Sequence, residues 1–230
     1  MSSKKGLALA MLLLFSLLLA ACGEEAPAEN PGTLPATPLS MQECSSAAAA
    51  ITAKAGAVTP TPNPTAGVRV DLAPETRLFV SNTFPYALAV PESWEVKDGQ
   101  SQGNLKADLF VIRKGNTSGT HMTVISEKLN GTMDTQAYFD TKIKEATASG
   151  KFEFQQQPDT RIGDSQARVI SFNTPAGQTF NYPAQIIQLI FTGQGRGWVV
   201  SFTSSPNNAG QYCPYFARAL ASWTFTNLQK

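Results

Sequence analysis

Two apolar runs late in the chain decide the fold class. Ile186, Ile187, Leu189, Ile190 and Phe191 form the first, and Trp198, Val199 and Val200 the second. Side chains alternate between faces along a strand, so a strand apolar at successive positions needs cover on both sides. Gly193-Gln194-Gly195-Arg196-Gly197 separates the runs. A glycine loop that holds phosphate leads from a strand into a helix. This one leads into another strand and reads as a hairpin turn. Few segments carry a helical period, so the strands connect mostly by hairpins. The expectation is an α+β fold, an antiparallel sheet of about six to eight strands flanked by helices on both faces, an α/β/α sandwich.

The remaining pattern supplies the other elements. Strands are expected over 86–91, 94–96, 109–112, 122–125, 152–156, 167–172, 184–191 and 197–202, with 109–112 and 122–125 paired as a hairpin. Asp134 can cap a helix that ends near Ser149, with Phe139, Ile143 and Ala146 on its buried stripe. The last helix, over 207–221, places Tyr212, Phe216, Ala219, Leu220 and Trp223 on one side. Ser40 and Glu43 form a capping box that opens an alanine-rich helix over 41–55. Its apolar face, Met41, Cys44, Ala48 and Ile51, is thin, and a lone helix of about 15 residues is marginal in water. Residues 22–39 are too polar and proline-rich to pack and read as a disordered tether. Pro60, Pro62 and Pro64 mark a semi-rigid linker. The organisation expected is a leader at 1–21, the tether at 22–39, the helix at 40–56, a Thr/Pro linker at 57–77 and one folded domain at 78–228.

Composition excludes several functions. A formal net charge of +1 argues against nucleic acid as a partner. With one histidine and three cysteines there is little material for a zinc site or a nucleophilic triad. His121, at a strand start beside a Gly-Ser turn, reads as a strand-end residue. No Asp-x-Asp-x-Asp-Gly loop is present for calcium. No catalytic residue, metal or cofactor is expected. Glu92 and Glu95 flank Trp94, but Trp94 reads as a plug beneath its turn. Residues 175–183 form a long strand connection, and its aromatics Phe180 and Tyr182 are the candidate contact surface.

The N-terminus carries an address. Lys4 and Lys5 precede an apolar run over 7–21, shorter than the roughly 20 residues that span a bilayer. The run ends in Leu19-Ala20-Ala21-Cys22, which resembles the bacterial lipoprotein signal. That resemblance implies cleavage before Cys22, acylation of its thiol, and a domain anchored to a membrane on the extracytoplasmic side of the cell envelope. Acylation leaves Cys44 and Cys213 as the remaining thiols in a compartment where disulfides persist. A bridge between them is expected; two separate buried thiols, or a Cys44 paired with another protein, are the alternatives.

The order of elements also resembles PsbP-like domains. Tyr86-x-Leu-x-Val-Pro91-x-x-Trp94 is similar to their opening strand and turn, with Val90 where an aromatic is common and Ser93 where glycine often precedes the tryptophan. Gly163-x-x-x-Ala167, the Trp198 to Ser205 strand and the closing Phe216 to Phe225 segment follow in the same order. The resemblance spans about 84–225. It implies an antiparallel sheet flanked by helices, and binding, assembly or accessory roles. The function expected is a non-catalytic binding or accessory module of an envelope complex, with an envelope protein as partner. The alternative is a lipoprotein that holds a small molecule or lipid between sheet and helix.

Overall fold

The computed structural model describes residues 33–55, 75–99, 101–102, 105–114, 119–148 and 153–226. Its elements are α1 (Met41–Ala55), β1 (Thr76–Val80), β2 (Tyr86–Pro91), β3 (Trp94–Asp98), β4 (Ser101–Gln102), β5 (Leu105–Lys106), β6 (Leu109–Arg113) and β7 (His121–Lys128). They continue with α2 (Thr135–Thr147), β8 (Gln155–Ile162), β9 (Ser165–Thr174), β10 (Ala184–Gly193), β11 (Arg196–Ser204), α3 (Pro206–Ala221) and β12 (Thr224–Phe225). Seven strands form the main antiparallel sheet, in the order β3-β6-β7-β11-β10-β9-β8. The two-sided apolar strands β10 and β11 lie inside it, as their composition requires, and β6 pairs with β7 as a hairpin.

Strand alternation divides the sheet's buried side chains between two faces. Val124, Val200, Leu189 and Val169 share the face covered by α1 and α3. Val199, Ile190, Ile186 and Phe172 share the other, covered by Tyr138 and Phe139 of α2. The α+β sandwich with helices on both faces is therefore observed. Sequence reasoning placed all strands in one sheet. Instead β1, β2 and β12 form a second sheet in that order, because Phe225 pairs with Tyr86 across most of the chain.

The domain boundary also moves. β1 begins at Thr76, inside the expected linker. The last part of the expected tether is packed: Pro38 is buried and Leu39 lies against the core. Helix α1 is part of the domain, since Met41, Cys44 and Ala48 join the same core cluster as Trp198 and Phe202. Its capping box forms as read. Glu43 accepts from the Ser40 backbone N–H (2.8 Å) and hydroxyl (2.7 Å), which holds its carboxyl below the usual range. The thin apolar face suffices because it is docked on α3, where Cys44 and Cys213 form a disulfide with Cα atoms 5.1 Å apart. None of the described helices is long and apolar enough to cross a membrane. Residues 1–32, including the leader and Cys22, lie outside the described residues, as does most of the 57–77 linker.

Candidate functional site

The two ends of the main sheet differ in what they offer a partner. At one end, residues 175–183 connect β9 to β10. Sequence reasoning offered Phe180 and Tyr182 there as a contact surface. The structure turns them inward: Phe180 is only 2% exposed and belongs to the α2-side core. The loop folds back on itself, with the Gly177 N–H donating to the Phe180 carbonyl at 2.7 Å. Tyr182 stacks on Phe180 (5.3 Å) and its hydroxyl donates to the Gly119 carbonyl at 3.2 Å. Gly119 has φ +64°, and a Cβ there would run into the Tyr182 ring, so glycine is needed for both reasons.

The same closure removes the lone histidine from use. His121 Nδ1–H donates to the Gly119 carbonyl at 2.6 Å, and the ring meets Phe180 edge-on. Burial pushes its pKa down, against the hydrogen bond to the Gly119 carbonyl. Nε2 is buried without a hydrogen-bond partner among the described residues. Trp94 is a plug as read, buried against Tyr212 and Tyr215 of α3.

The opposite end carries an open cleft of about 530 Å³, lined by Leu129, Thr132, Met133, Asp134, Thr192 and Arg196 among others. Two rigid elements frame it. On one side, Asp134 caps α2 by accepting from the Ala137 N–H at 2.8 Å, and the Thr135 hydroxyl binds the Thr192 backbone N–H at 3.2 Å. On the other is the β10–β11 turn, where Trp198 Nε1–H donates to the Gly193 carbonyl at 2.9 Å. Met133, at 36% exposure, is the exposed large apolar side chain among the described residues.

Arg196 is held in place at the cleft floor. Its Nε donates to Ser126 Oγ at 2.8 Å and its Nη2 to the Ser126 carbonyl at 3.3 Å. The guanidinium lies over Phe84 (5.0 Å) and Trp198 (5.8 Å). Ser126 in turn donates to the Asp108 carboxylate. Burial pushes the Asp108 carboxyl up to about 6, against the pull of Ser126 and Arg196. The Tyr86 hydroxyl is buried without a hydrogen-bond partner among the described residues, and its pKa is raised by burial and by the charges of Asp108 and Asp98. Sequence reasoning missed this group. Asp108 and Ser126 are 18 residues apart, Ser126 and Arg196 are 70 apart, and no local motif joins them. The one available signal is Asp108 itself, an acid beside the apolar run 109–112.

Asp108 gives a pH prediction. An exposed aspartate titrates near ~3.9, so the folded protein binds this proton more tightly than the unfolded chain. The stability it contributes is complete below about pH 4 and is lost as pH rises through about 6. The interval corresponds to about 3 kcal/mol. Asp108→Asn keeps an acceptor for Ser126 and removes the titration. Relative to that variant, the wild type should lose about 2 kcal/mol between pH 4 and pH 7, measured by urea unfolding. A difference that stays constant over that range refutes the assignment.

No protein-family model matches the chain, and no curated protein does. Solved structures do. Cyanobacterial PsbP from Synechocystis sp. PCC 6803 matches over 72% of this chain and 97% of its own, at 10% identity and TM-score 0.47. LpqN of Mycobacterium tuberculosis, described as involved in cell envelope biogenesis, matches over 66% and 92%, at 13% identity and TM-score 0.45. The Saccharomyces cerevisiae Ran-binding protein Mog1p matches over 65% and 95%, at 9% identity and TM-score 0.42.

Proposed function

We propose that this chain is a non-catalytic module, anchored by lipid at Cys22 to the extracytoplasmic side of a membrane, that binds a protein partner in an envelope complex. The observation that carries the reading is the cleft between 129–134 and 192–196. It sets an exposed Met133 beside an Arg196 already fixed by Ser126, Phe84 and Trp198. Arginine held in advance beside an apolar anchor is the side-chain set that concentrates binding energy at protein interfaces. Against the alternative, a small molecule or lipid held between sheet and helix, stands the stacking of Phe202 on Phe216 at 5.5 Å between β11 and α3.

Two experiments test this reading. A photo-crosslinking amino acid at Met133 should give one discrete adduct in intact cells, reduced by Arg196→Glu. Absence of an adduct from position 133 and its cleft neighbours counts against the partner. Cys22→Ser should release the protein from membranes or leave it as uncleaved precursor, read by fractionation and mass spectrometry. A variant still processed and acylated counts against the anchor.

A further inference from the structure

We propose that the domain stands on the membrane with its 175–183 loop end down and its cleft held away from the bilayer. This rests on lipid attachment at Cys22. The geometry begins with where the packed chain leaves the domain. Met41 N–H donates to Gln157 Oε1 at 3.1 Å, and Gln157 Nε2 donates to Ser171 Oγ at 2.6 Å. Two residues further along β9, Asn173 Nδ2 donates to the Pro35 carbonyl at 2.8 Å. Read towards Cys22, the chain therefore runs along β9 to the end where β9 enters the 175–183 loop. Pro38 and Leu39 are packed, and the Cys44–Cys213 bridge pins the helix that follows. The exit point is fixed to that end of the sheet.

Length then limits the leash. Eleven residue steps separate Cys22 from Thr33, a span of at most about 40 Å. Had the chain been free as far as β1, the limit would be about 190 Å, and no orientation would follow. The cleft lies at the other end of β10, ten residues away and about 30 Å distant at the ordinary rise of a strand. Because the chain leaves at the loop end, that end lies about 30 Å nearer the start of the leash than the cleft does, which biases the loop end towards the lipid.

The chemistry of the loop end fits a lipid surface. No acidic, basic or histidine residue occurs between Arg168 and Arg196. Residues 175–178 are exposed there, and among them no carboxylate meets the negative surface potential of anionic lipid. Charged side chains at this end are Glu75, Glu92, Arg113 and Lys114 by the β3–β6 pair on the far side of the sheet, and the single exposed carboxylate of Glu153 just before β8. The cleft end is charged, with Asp134 and Arg196 in the cleft itself.

The test uses the full-length acylated protein in vesicles of phosphatidylethanolamine and phosphatidylglycerol that carry a headgroup spin label. Ala176→Cys at the loop end and Thr132→Cys at the cleft each take a thiol-reactive fluorophore. Co-flotation with the vesicles is scored first, then quenching. The expected result is flotation of both variants, loss of fluorescence at 176 and retention at 132. Flotation with equal quenching at the two positions, or stronger quenching at 132, overturns the orientation and leaves the anchor standing. Failure to float overturns the anchor and the orientation with it.

Discussion

Replacing both Cys44 and Cys213 by serine is expected to lower stability by about 4–5 kcal/mol. The bridge spans a sequence separation of 169, so reduction frees a very long loop in the unfolded chain. In the chain-entropy treatment, closing a loop of that length is worth about 5 kcal/mol, while measured bridges commonly give 2–4. The upper part of the range is expected because both cysteines are buried and α1 has little apolar surface of its own. Urea unfolding of the oxidised wild type against the double serine variant measures it. A midpoint that does not move would show that α1 docks without its covalent link. A chain begun at Val68 should lose more, since it also strips Pro38, Leu39, Met41 and Ala48 from the core. The expected boundary at residue 78 leaves that segment outside the folded domain. Packing makes it structural, and a truncated chain as stable as the double serine variant would restore the first view.

Trp198→Ala should cost about 3–5 kcal/mol, the usual range for deleting a large buried aromatic. The ring is fully buried and meets Tyr86 (5.4 Å), Trp223 (5.5 Å), Phe225 (5.9 Å) and Phe191 (6.4 Å). Removal also takes away the Nε1–H donor from the Gly193 carbonyl, and with it the brace of the turn beside the cleft. Near-UV circular dichroism should collapse, and the melting temperature should fall by about 10–15 °C. Crosslinking from Met133 should weaken at temperatures where the variant is still folded. A variant with wild-type melting would mean that the aromatic cluster repacks around the void.

The elements legible in the sequence are those with a dominant local period. Helix α1 occupies the span its capping box and alanine run predict, and the cap at Asp134 forms as read. Strands β10 and β11 have the pairing their apolar runs require. The expected strand over 152–156 is displaced to Gln155–Ile162, a polar edge strand with Pro158 and a register shift, where no hydrophobic alternation marks the position. The stripe of α2 is wider than the period implies: Phe139 is buried and Ile143 and Ala146 pack against the same core, and Tyr138 and Lys142 are buried beside them. Lysine fits there because its ammonium reaches Glu127 and Glu145 (3.1 Å). Such pairs are made by tertiary structure and leave no trace in the local pattern. The cleft was invisible for the same reason, as its walls come from a loop, a helix cap and a hairpin turn distant in sequence.

The small sheet sets a condition on when this protein can fold. Tyr86, on its central strand, stacks on Trp223 at 4.6 Å, and Phe225 completes the ring of aromatics around Trp198. The central aromatic core therefore cannot close until residues 223–225 are available to meet residues 86–87. Long-range closure of this kind is intrinsically slow. For a chain exported as proposed, that delay is useful. The polypeptide would stay threadable while it passes through a membrane, and its aromatic core would lock only once residues 223–225 have emerged.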